Sequence, residues 1–177
     1  MWLKLDLDGI NFQLEIANYT QGDFRGDYPD DWCIVSMKYQ SGGWLNYIVD
    51  RQELLLSEEV DELQSALLRF LNDEFTRVRV IGFAEPDIEM VLFPKSDVRD
   101  DPDLLYISPE ADPIQDILMD LRVSFWNGGL TANYLSICFD RKDVEYLQKY
   151  LMLITEKIDE SSEDIQKMIS KGYLYKE

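Results

Sequence analysis

The stretch that decides the fold covers residues 31–71 and reads DWCIVSMKYQSGGWLNYIVDRQELLLSEEVDELQSALLRFL. Hydrophobic residues alternate on both sides of Gly42-Gly43 and then recur at helical spacing, which predicts strand, turn, strand and helix. The same order returns in residues 117–154, which read ILMDLRVSFWNGGLTANYLSICFDRKDVEYLQKYLMLI. The sequence therefore predicts two copies of one hairpin-plus-helix unit, each of which needs a neighbour to cover its hydrophobic face.

Two local matches align the copies. Gly42-Gly43 corresponds to Gly128-Gly129, 86 residues further along the chain. The helices align at an offset of 84 residues, and the matched pairs are Val60 with Val144, Leu63 with Leu147, Gln64 with Gln148, and Leu67 with Leu151. We therefore expect the second copy to be two residues shorter between its turn and its helix.

The remaining elements follow from alternation, turns and helix caps. Strands are predicted at residues 2–7 and 10–18, because Asp8-Gly9 between alternating runs is a strong hairpin signal. Residues 76–83 and the alternating Ile88, Met90 and Leu92 predict a further hairpin, while 19–31 predicts a loop and 51–56 a connector. Helices are predicted at 58–71, 141–157 and 162–171, with Ser57, Asp140 and Ser161 as their N-caps.

These elements predict an α+β fold, a mainly antiparallel β-sheet built from two related hairpin-plus-helix halves with an extra C-terminal helix. The chain of 177 residues is long enough for one domain. We assign residues 1–177 to a single domain, with pseudo-repeat halves 1–73 and 76–157, an acidic insertion at 94–116 and a C-terminal helix at 161–172.

Charge is the most informative property of the composition. Seventeen basic residues against thirty-five acidic ones give a net charge of −18. This opposes binding to nucleic acid and to anionic membranes, and it favours either a basic protein partner or simple solvation. The N-terminal MWLKLDLDG is unlike a signal peptide, and the sequence contains no run of about 18 apolar residues. We expect a cytoplasmic protein.

The sequence shows no catalytic, metal or cofactor site. Histidine is absent, which removes the commonest general base and most zinc sites. The adjacent acids Glu58-Glu59, Asp30-Asp31 and Asp100-Asp101 point apart on regular elements and do not form dyads by themselves. The run from Asp97 to Asp103 lacks the glycine and terminal glutamate of a calcium loop. Cys33 and Cys138 lie in predicted strands and are expected to be buried free thiols.

Acidic loops are the candidate partner-binding surfaces, although a solvated loop would show the same composition. The densest lies in the insertion at 94–116, where Pro102, Pro109 and Pro113 exclude a regular helix and Leu104–Ile107 predicts a short strand. The candidate residues in the two loops are Asp23, Asp27, Asp30, Asp97, Asp100, Asp101, Asp103, Glu110, Asp112 and Asp116. The tryptophans at positions 2, 32, 44 and 126 are either interface anchors or core residues, and we expect them in the core.

The pattern resembles the WapI-type immunity proteins of bacteria over about residues 28–151. Asp30 and Trp32 match the acidic start of a strand in that family, Glu58-Glu59 an acidic helix start, and Phe83, Glu85 and Pro86 a segment that opens a later strand. The acidic insertion and the last helix depart from the pattern. The resemblance implies a cytoplasmic protein that neutralises the toxic C-terminal domain of a contact-dependent toxin, often a nuclease.

We therefore expect an acidic, non-enzymatic binding protein whose partner is a cognate toxin or another basic domain. Two alternatives remain open from the sequence. A carboxylate-dependent hydrolase would place at least two acids of perturbed pKa in one cleft. A structural or regulatory homo-oligomer, such as a homodimer, would carry an apolar, self-complementary patch, for example around Trp44 and Trp126.

Overall fold

The computed structural model describes residues 1–21, 31–97, 99 and 108–176. The strands in these ranges are β1 Trp2–Leu7, β2 Ile10–Ala17, β3 Trp32–Ser41, β4 Leu45–Leu56, β5 Arg79–Gly82, β6 Ile88–Phe93, β7 Leu118–Trp126, β8 Leu130–Phe139 and β9 Leu174–Tyr175. The helices are α1 Ser57–Leu71, α2 Arg141–Ile154 and α3 Glu163–Ser170. The predicted short strand at 104–107 lies outside the described residues.

The strands form two antiparallel sheets. The first has the order β4-β3-β2-β1-β9 and the second the order β5-β6-β7-β8. In each half of the chain, four consecutive strands pair with their neighbours in sequence, and one helix follows directly. The predicted α+β fold with two related halves and an extra C-terminal helix is therefore confirmed. The tail adds β9 beside β1, through the pairs Trp2 with Tyr175 and Leu3 with Leu174.

The first hairpin forms as its turn residues predict. Asp8 and Gly9 both have positive φ, 51° and 88°, which is the conformation that a two-residue turn between twisted strands requires. The carboxylate of Asp6 accepts a hydrogen bond from the Gly9 amide at 2.8 Å. Strand pairing then runs from Leu7 with Ile10 up to Trp2 with Glu15, so Leu3, Leu5 and Leu7 share the buried face of the sheet.

Several predicted boundaries are wrong by a few residues. The connector expected at 51–56 is the second part of β4, which continues past a bulge where Arg51 has a φ of 49°. The bulge breaks the alternation that the prediction relied on. Helix α1 begins at Ser57, so Leu56 is its N-cap, and α3 is capped by Ser162 instead of Ser161. Helix α2 ends at Ile154, three residues before the predicted end.

The two sheets and the first two helices share one hydrophobic core. A central cavity of about 20 Å³ is lined by side chains from both sheets and from α1 and α2, for example Phe12, Leu121, Leu63 and Leu147. Across the interface between the sheets, the rings of Phe12 and Phe139 meet edge to face, with centroids 5.3 Å apart. Burying such a side chain contributes about 1.5–3 kcal/mol.

The two cysteines are free thiols in different environments. Cys33 is buried, as expected, and burial raises the pKa of its thiol. Cys138 is exposed, so the expectation of a buried thiol is wrong there. It pairs with Asp120 on the outer face of the second sheet, one residue before the buried Phe139. Among the described residues, no helix has the length and hydrophobicity that would carry it across a bilayer.

Candidate interaction surface

The turns of the two glycine hairpins lie at the same end of the molecule. Tyr47, near the start of β4, contacts Phe125, near the end of β7, with ring centroids 5.7 Å apart. Tyr47 also contacts the buried Tyr39 of β3 at 6.3 Å. This chain of rings connects the edge strand of the first sheet to the end of the β7–β8 hairpin.

Large hydrophobic side chains remain exposed beside these two turns. We call them the hairpin-end surface, which consists of Trp44, Ile48, Phe125, Trp126 and Leu130. Trp44 is 71% exposed and Trp126 is 53% exposed, and Trp126 pairs with Leu130 across the hairpin. The expectation that these two tryptophans are core residues is wrong, because each flanks a turn and lies outside the covered part of the sheet.

The other two tryptophans are less accessible. Trp2 is buried on the outer face of the first sheet, where the ring of Tyr175 stacks on it with centroids 6.4 Å apart. The ammonium of Lys38 lies 4.2 Å from the Trp2 ring centroid, a cation–π geometry that also shields the ring. Trp32 is half-buried at the start of β3. Trp2 is therefore buried as expected, and it is covered by a tyrosine and a lysine.

A groove of about 250 Å³ opens beside the hairpin-end surface, between β4 and the turn that joins β5 to β6. Tyr47, Ile48 and Val49 of β4 line one part of it, together with the carboxylate-bearing Asp50 and Asp87. Burial and, second, the charge of Asp87 raise the pKa of the Tyr47 phenol. The phenol and this carboxylate are therefore close enough to interact electrostatically.

Within the described ranges, neither Asp50 nor Asp87 has a hydrogen bond or an ion pair to its carboxylate. Their backbone carbonyls are used, because the Asp87 carbonyl accepts the Ser124 amide at 2.8 Å and the Asp50 carbonyl accepts the Gln52 side chain at 2.9 Å. Both residues thus line the groove without an ion-pair partner in the described part of the chain.

A network of charged side chains lies where the two halves meet on the other side. The guanidinium of Arg141, at the start of α2, donates to Asp116 at 2.8 Å, to Asp73 at 2.7 Å and to the Leu71 carbonyl at 2.8 Å. Lys95 donates to the same Asp73 at 3.0 Å. These cations hold the pKa values of Asp73 and Asp116 below their usual range.

The acids predicted to contact a partner fall into three groups. Asp23, Asp27, Asp30, Asp100, Asp101 and Asp103 lie outside the described residues. Asp97 and Asp116 are paired within the chain, and hydrogen bonds from Arg99 lower the pKa of Asp97 to about 2. Glu110 and Asp112 are exposed. A role of this acidic insertion in partner binding stays a prediction.

The described ends of the acidic insertion and the hairpin-end surface lie at opposite ends of β7. The insertion follows β6 and precedes β7, and its ends are joined by a bridge between Ser96 and Ile114. The hairpin-end surface lies at the opposite end of β7, which has nine residues. At about 3.3 Å per residue, the two ends of this strand are about 26 Å apart. A partner that contacts only one end would therefore leave the other free.

The raised carboxyl pKa of Asp143 has a local cause. Asp140 and Asp143 form a capping box at the N-terminus of α2, with the Asp140 side chain accepting the Asp143 amide at 2.9 Å. Burial and the neighbouring Asp140 raise the pKa of Asp143 to about 6. This pair follows Phe139, which lies beside the first residues of β7, whereas Asp87 lies beside the last residues of β7. The carboxyl group with the raised pKa and the groove acids therefore do not share a cleft. No described group of three acids or thiols could hold a metal ion.

Sequence reasoning missed the groove and three of the five residues of the hairpin-end surface, Ile48, Phe125 and Leu130. Asp50 and Asp87 are not among the partner-binding residues that the sequence predicts. One signal was present: residues 50–53 read DRQE, four polar residues in a row where β4 should alternate. Such a run is typical of an edge strand that bulges towards solvent.

The fold and these surfaces define an acidic α+β protein with exposed aromatic side chains at one end. In its described parts, the acid with a raised pKa and the groove acids lie in different places. The sequence model of the Immunity protein WapI-like family matches residues 3–158. The chain therefore belongs to this family. The match includes the acidic insertion and ends before α3 and β9. No curated protein matches the chain significantly.

Proposed function

We propose that this chain is a non-enzymatic cytoplasmic inhibitor that binds and neutralises one cognate bacterial toxin domain. The observation that carries the proposal is membership of an immunity protein family over residues 3–158. Inhibition would follow from covering the toxin's active surface, without turnover. A nuclease is the toxin class that the charge favours, because a surface that binds phosphate is cationic.

The net charge of −18 supports a basic partner. Opposite charges steer two proteins together, so the association rate rises at low salt and falls as salt is added. The exposed Glu110 and Asp112 belong to the acidic insertion, which we propose as one source of this attraction. Ion pairs at a solvent-exposed rim change the association rate more than the final affinity.

The hairpin-end surface supplies the second ingredient of an interface. Energetically important contacts in protein complexes are enriched in tryptophan, tyrosine and arginine, and they lie at the centre of the interface. Trp44 and Trp126 are exposed with a hydrophobic neighbourhood, as such anchors are. We propose that they contact the toxin, while the acids elsewhere steer it.

The test is co-production with the toxin domain encoded beside this chain. We expect the chain to restore growth of cells that make this toxin domain and to bind the purified domain at nanomolar concentration. The variant Glu110→Lys/Asp112→Lys should lower the association rate several-fold at low salt and change it little at high salt. Trp126→Ala should weaken binding tenfold or more, mainly through faster dissociation. A wild-type chain that neither binds nor protects contradicts the proposal.

A homodimer is the alternative function, because the exposed aromatic side chains could also pack against those of a second copy. Light scattering of the purified chain across a concentration series distinguishes the two. Under our proposal the measured mass stays at that of one chain until the toxin domain is added. A homodimer would show twice that mass, and the variant Trp44→Ser/Trp126→Ser would return to the mass of one chain.

A further inference from the structure

We propose that the groove between β4 and the β5–β6 turn receives an arginine side chain of the partner. This inference rests on the proposed function, since it assigns one contact of the toxin domain. The groove would hold the guanidinium between the ring of Tyr47 and the carboxylates of Asp50 and Asp87. No residue of this groove was among the acids expected to bind a partner.

The lining of the groove has the chemistry that a guanidinium needs. Tyr47 offers an aromatic ring, on which a planar guanidinium stacks more favourably than a compact ammonium does. Asp50 and Asp87 offer carboxylate oxygens, which accept the fork of N–H donors that arginine presents. The neighbouring Val49, which lies on the same face of β4 as Tyr47, is hydrophobic and would cover part of the aliphatic stem of the side chain.

The two groove acids differ from the acids that form ion pairs within the chain. Asp73, Asp97 and Asp116 are each neutralised by an arginine or lysine of the chain itself. Asp50 and Asp87 have no such partner in the described part of the chain. A cationic side chain of the partner would supply that missing ion pair, and the half-buried Asp87 would attract it more strongly than a fully exposed acid does.

The size and position of the groove fit one side chain at the edge of a larger interface. Its volume of about 250 Å³ is below the roughly 300–1,000 Å³ of pockets that bind a whole small molecule. Ile48 belongs both to the groove and to the hairpin-end surface. An arginine seated here would therefore lie next to the proposed tryptophan anchors, where arginine is enriched in interfaces.

The first experiment tests the groove without the toxin. N-acetyl-arginine amide is titrated into the isotope-labelled chain at low salt, and amide and aromatic resonances are followed by NMR. We expect saturable shifts at Tyr47, Ile48 and Asp87 with a dissociation constant in the millimolar range. N-acetyl-lysine amide should bind at least threefold more weakly, and a neutral acetylated norleucine amide should cause no saturable shift.

Matched variants separate the groove from overall charge. Asp50→Asn/Asp87→Asn removes two charges from the groove, whereas Glu110→Gln/Asp112→Asn removes two from the acidic insertion. We expect a loss of arginine-amide binding of tenfold or more in the first variant and less than twofold in the second, with equal urea midpoints as the check of folding. Equal binding by both variants, or no saturable shift in the wild type, overturns the proposal.

The second experiment uses the cognate toxin domain. If it binds the wild-type chain, Asp50→Asn/Asp87→Asn should lower the affinity about tenfold or more, and Glu110→Gln/Asp112→Asn should mainly lower the association rate. Unchanged affinity in the groove variant refutes the arginine contact and leaves the proposed function intact. A toxin domain that does not bind the wild type refutes the proposed function, and the arginine-amide titration then decides the groove by itself.

Discussion

Helices α1 and α2 occupy matching places in the two halves of the chain, and their comparison shows which features the shared pattern controls. Both bury the same side of the helix, through Val60, Leu63 and Leu67 in α1 and through Val144, Leu147 and Leu151 in α2. Their ends differ. The offset of 84 residues pairs the N-caps Leu56 and Asp140, so only α2 has a capping side chain. The hydrophobic stripe is shared, while the polar contacts at the ends are specific to each half.

The same offset pairs Ala66 with Tyr150, two residues of very different size. Tyr150 is fully buried, and its hydroxyl accepts the Ile16 amide at 2.9 Å while it donates to the Met1 carbonyl at 3.0 Å. These hydrogen bonds connect helix α2 of the second half to Met1, directly before β1, and to β2 of the first half. Ala66 cannot make an equivalent contact, because it has no polar side-chain atom.

The largest effect is expected when these hydrogen bonds are removed. Tyr150→Phe keeps the ring and leaves a buried backbone amide and a carbonyl without their partner, which costs about 1–3 kcal/mol. We expect the free energy of unfolding, measured by urea titration, to fall by about 2 kcal/mol. Tyr134→Phe, at an exposed tyrosine, is the control and should change it by less than about 0.5 kcal/mol. Equal effects of the two variants would mean that the hydrogen bonds of the Tyr150 hydroxyl do not stabilise the fold.

A smaller effect is expected at the start of α1, where Glu59 replaces the missing cap. Its carboxylate accepts the Leu56 amide at 2.8 Å and the Ala84 amide at 2.6 Å, so it also ties the helix to the β5–β6 turn. Glu59→Ala should lower the free energy of unfolding by about 1–1.5 kcal/mol. Glu58→Ala removes the neighbouring exposed acid and should cost clearly less. If Glu58→Ala costs as much, helix-dipole charge, and not the two hydrogen bonds, explains the effect.

Features that depend on residues close together in the sequence could be predicted, and features that depend on distant residues could not. Alternation and helical spacing are local, so the hairpins, the helices and the hydrophobic stripe of α1 could be predicted. The roles of Tyr150 and Glu59 could not, because their partners Met1, Ile16 and Ala84 are distant in sequence. The groove could not be predicted for the same reason, because it exists only once β4 lies beside Asp87. The exposure of Trp44 depends on which parts of the sheet other elements cover. Alternation of hydrophobic residues along a strand does not contain that information.

Arg141 joins the end of α1 to the start of α2, and its loss should have a modest effect. The side chain bridges the Leu71 carbonyl and the carboxylates of Asp73 and Asp116. Because exposed ion pairs contribute little individually, we expect Arg141→Ala to lower the free energy of unfolding by about 1 kcal/mol. The loss should shrink as salt is raised. Arg141→Lys, which keeps the charge but not the planar fork, should recover only part of it. Full recovery by lysine would assign the effect to charge alone.

The smallest effect concerns the acid that α2 uses in its capping box. Burial and Asp140 raise the pKa of Asp143 from an ordinary value of 3.8 to about 6. The folded state therefore binds a proton more tightly than the unfolded state, so acidification from pH 7 to pH 4 stabilises the fold through this group. Asp143→Asn removes the titration and keeps an acceptor for the Asp140 amide. The unfolding free energy of the wild type minus that of the variant should rise as pH falls through 6, by at most about 1 kcal/mol after solvent screening.

Comparing the two proteins at each pH cancels the other carboxylates, and NMR titration of the Asp143 carboxyl carbon gives its pKa directly. Glu59→Gln provides the matched control, because Glu59 holds the corresponding place in α1 with a leucine, which carries no charge, as its N-cap. If the wild-type-minus-variant difference rises equally for both positions, the neighbouring Asp140 is not what distinguishes the two helix starts. A difference that falls with acidification at Asp143 would reverse the assigned direction of the pKa shift, since an acid stabilised in its charged form loses its contribution as it is protonated.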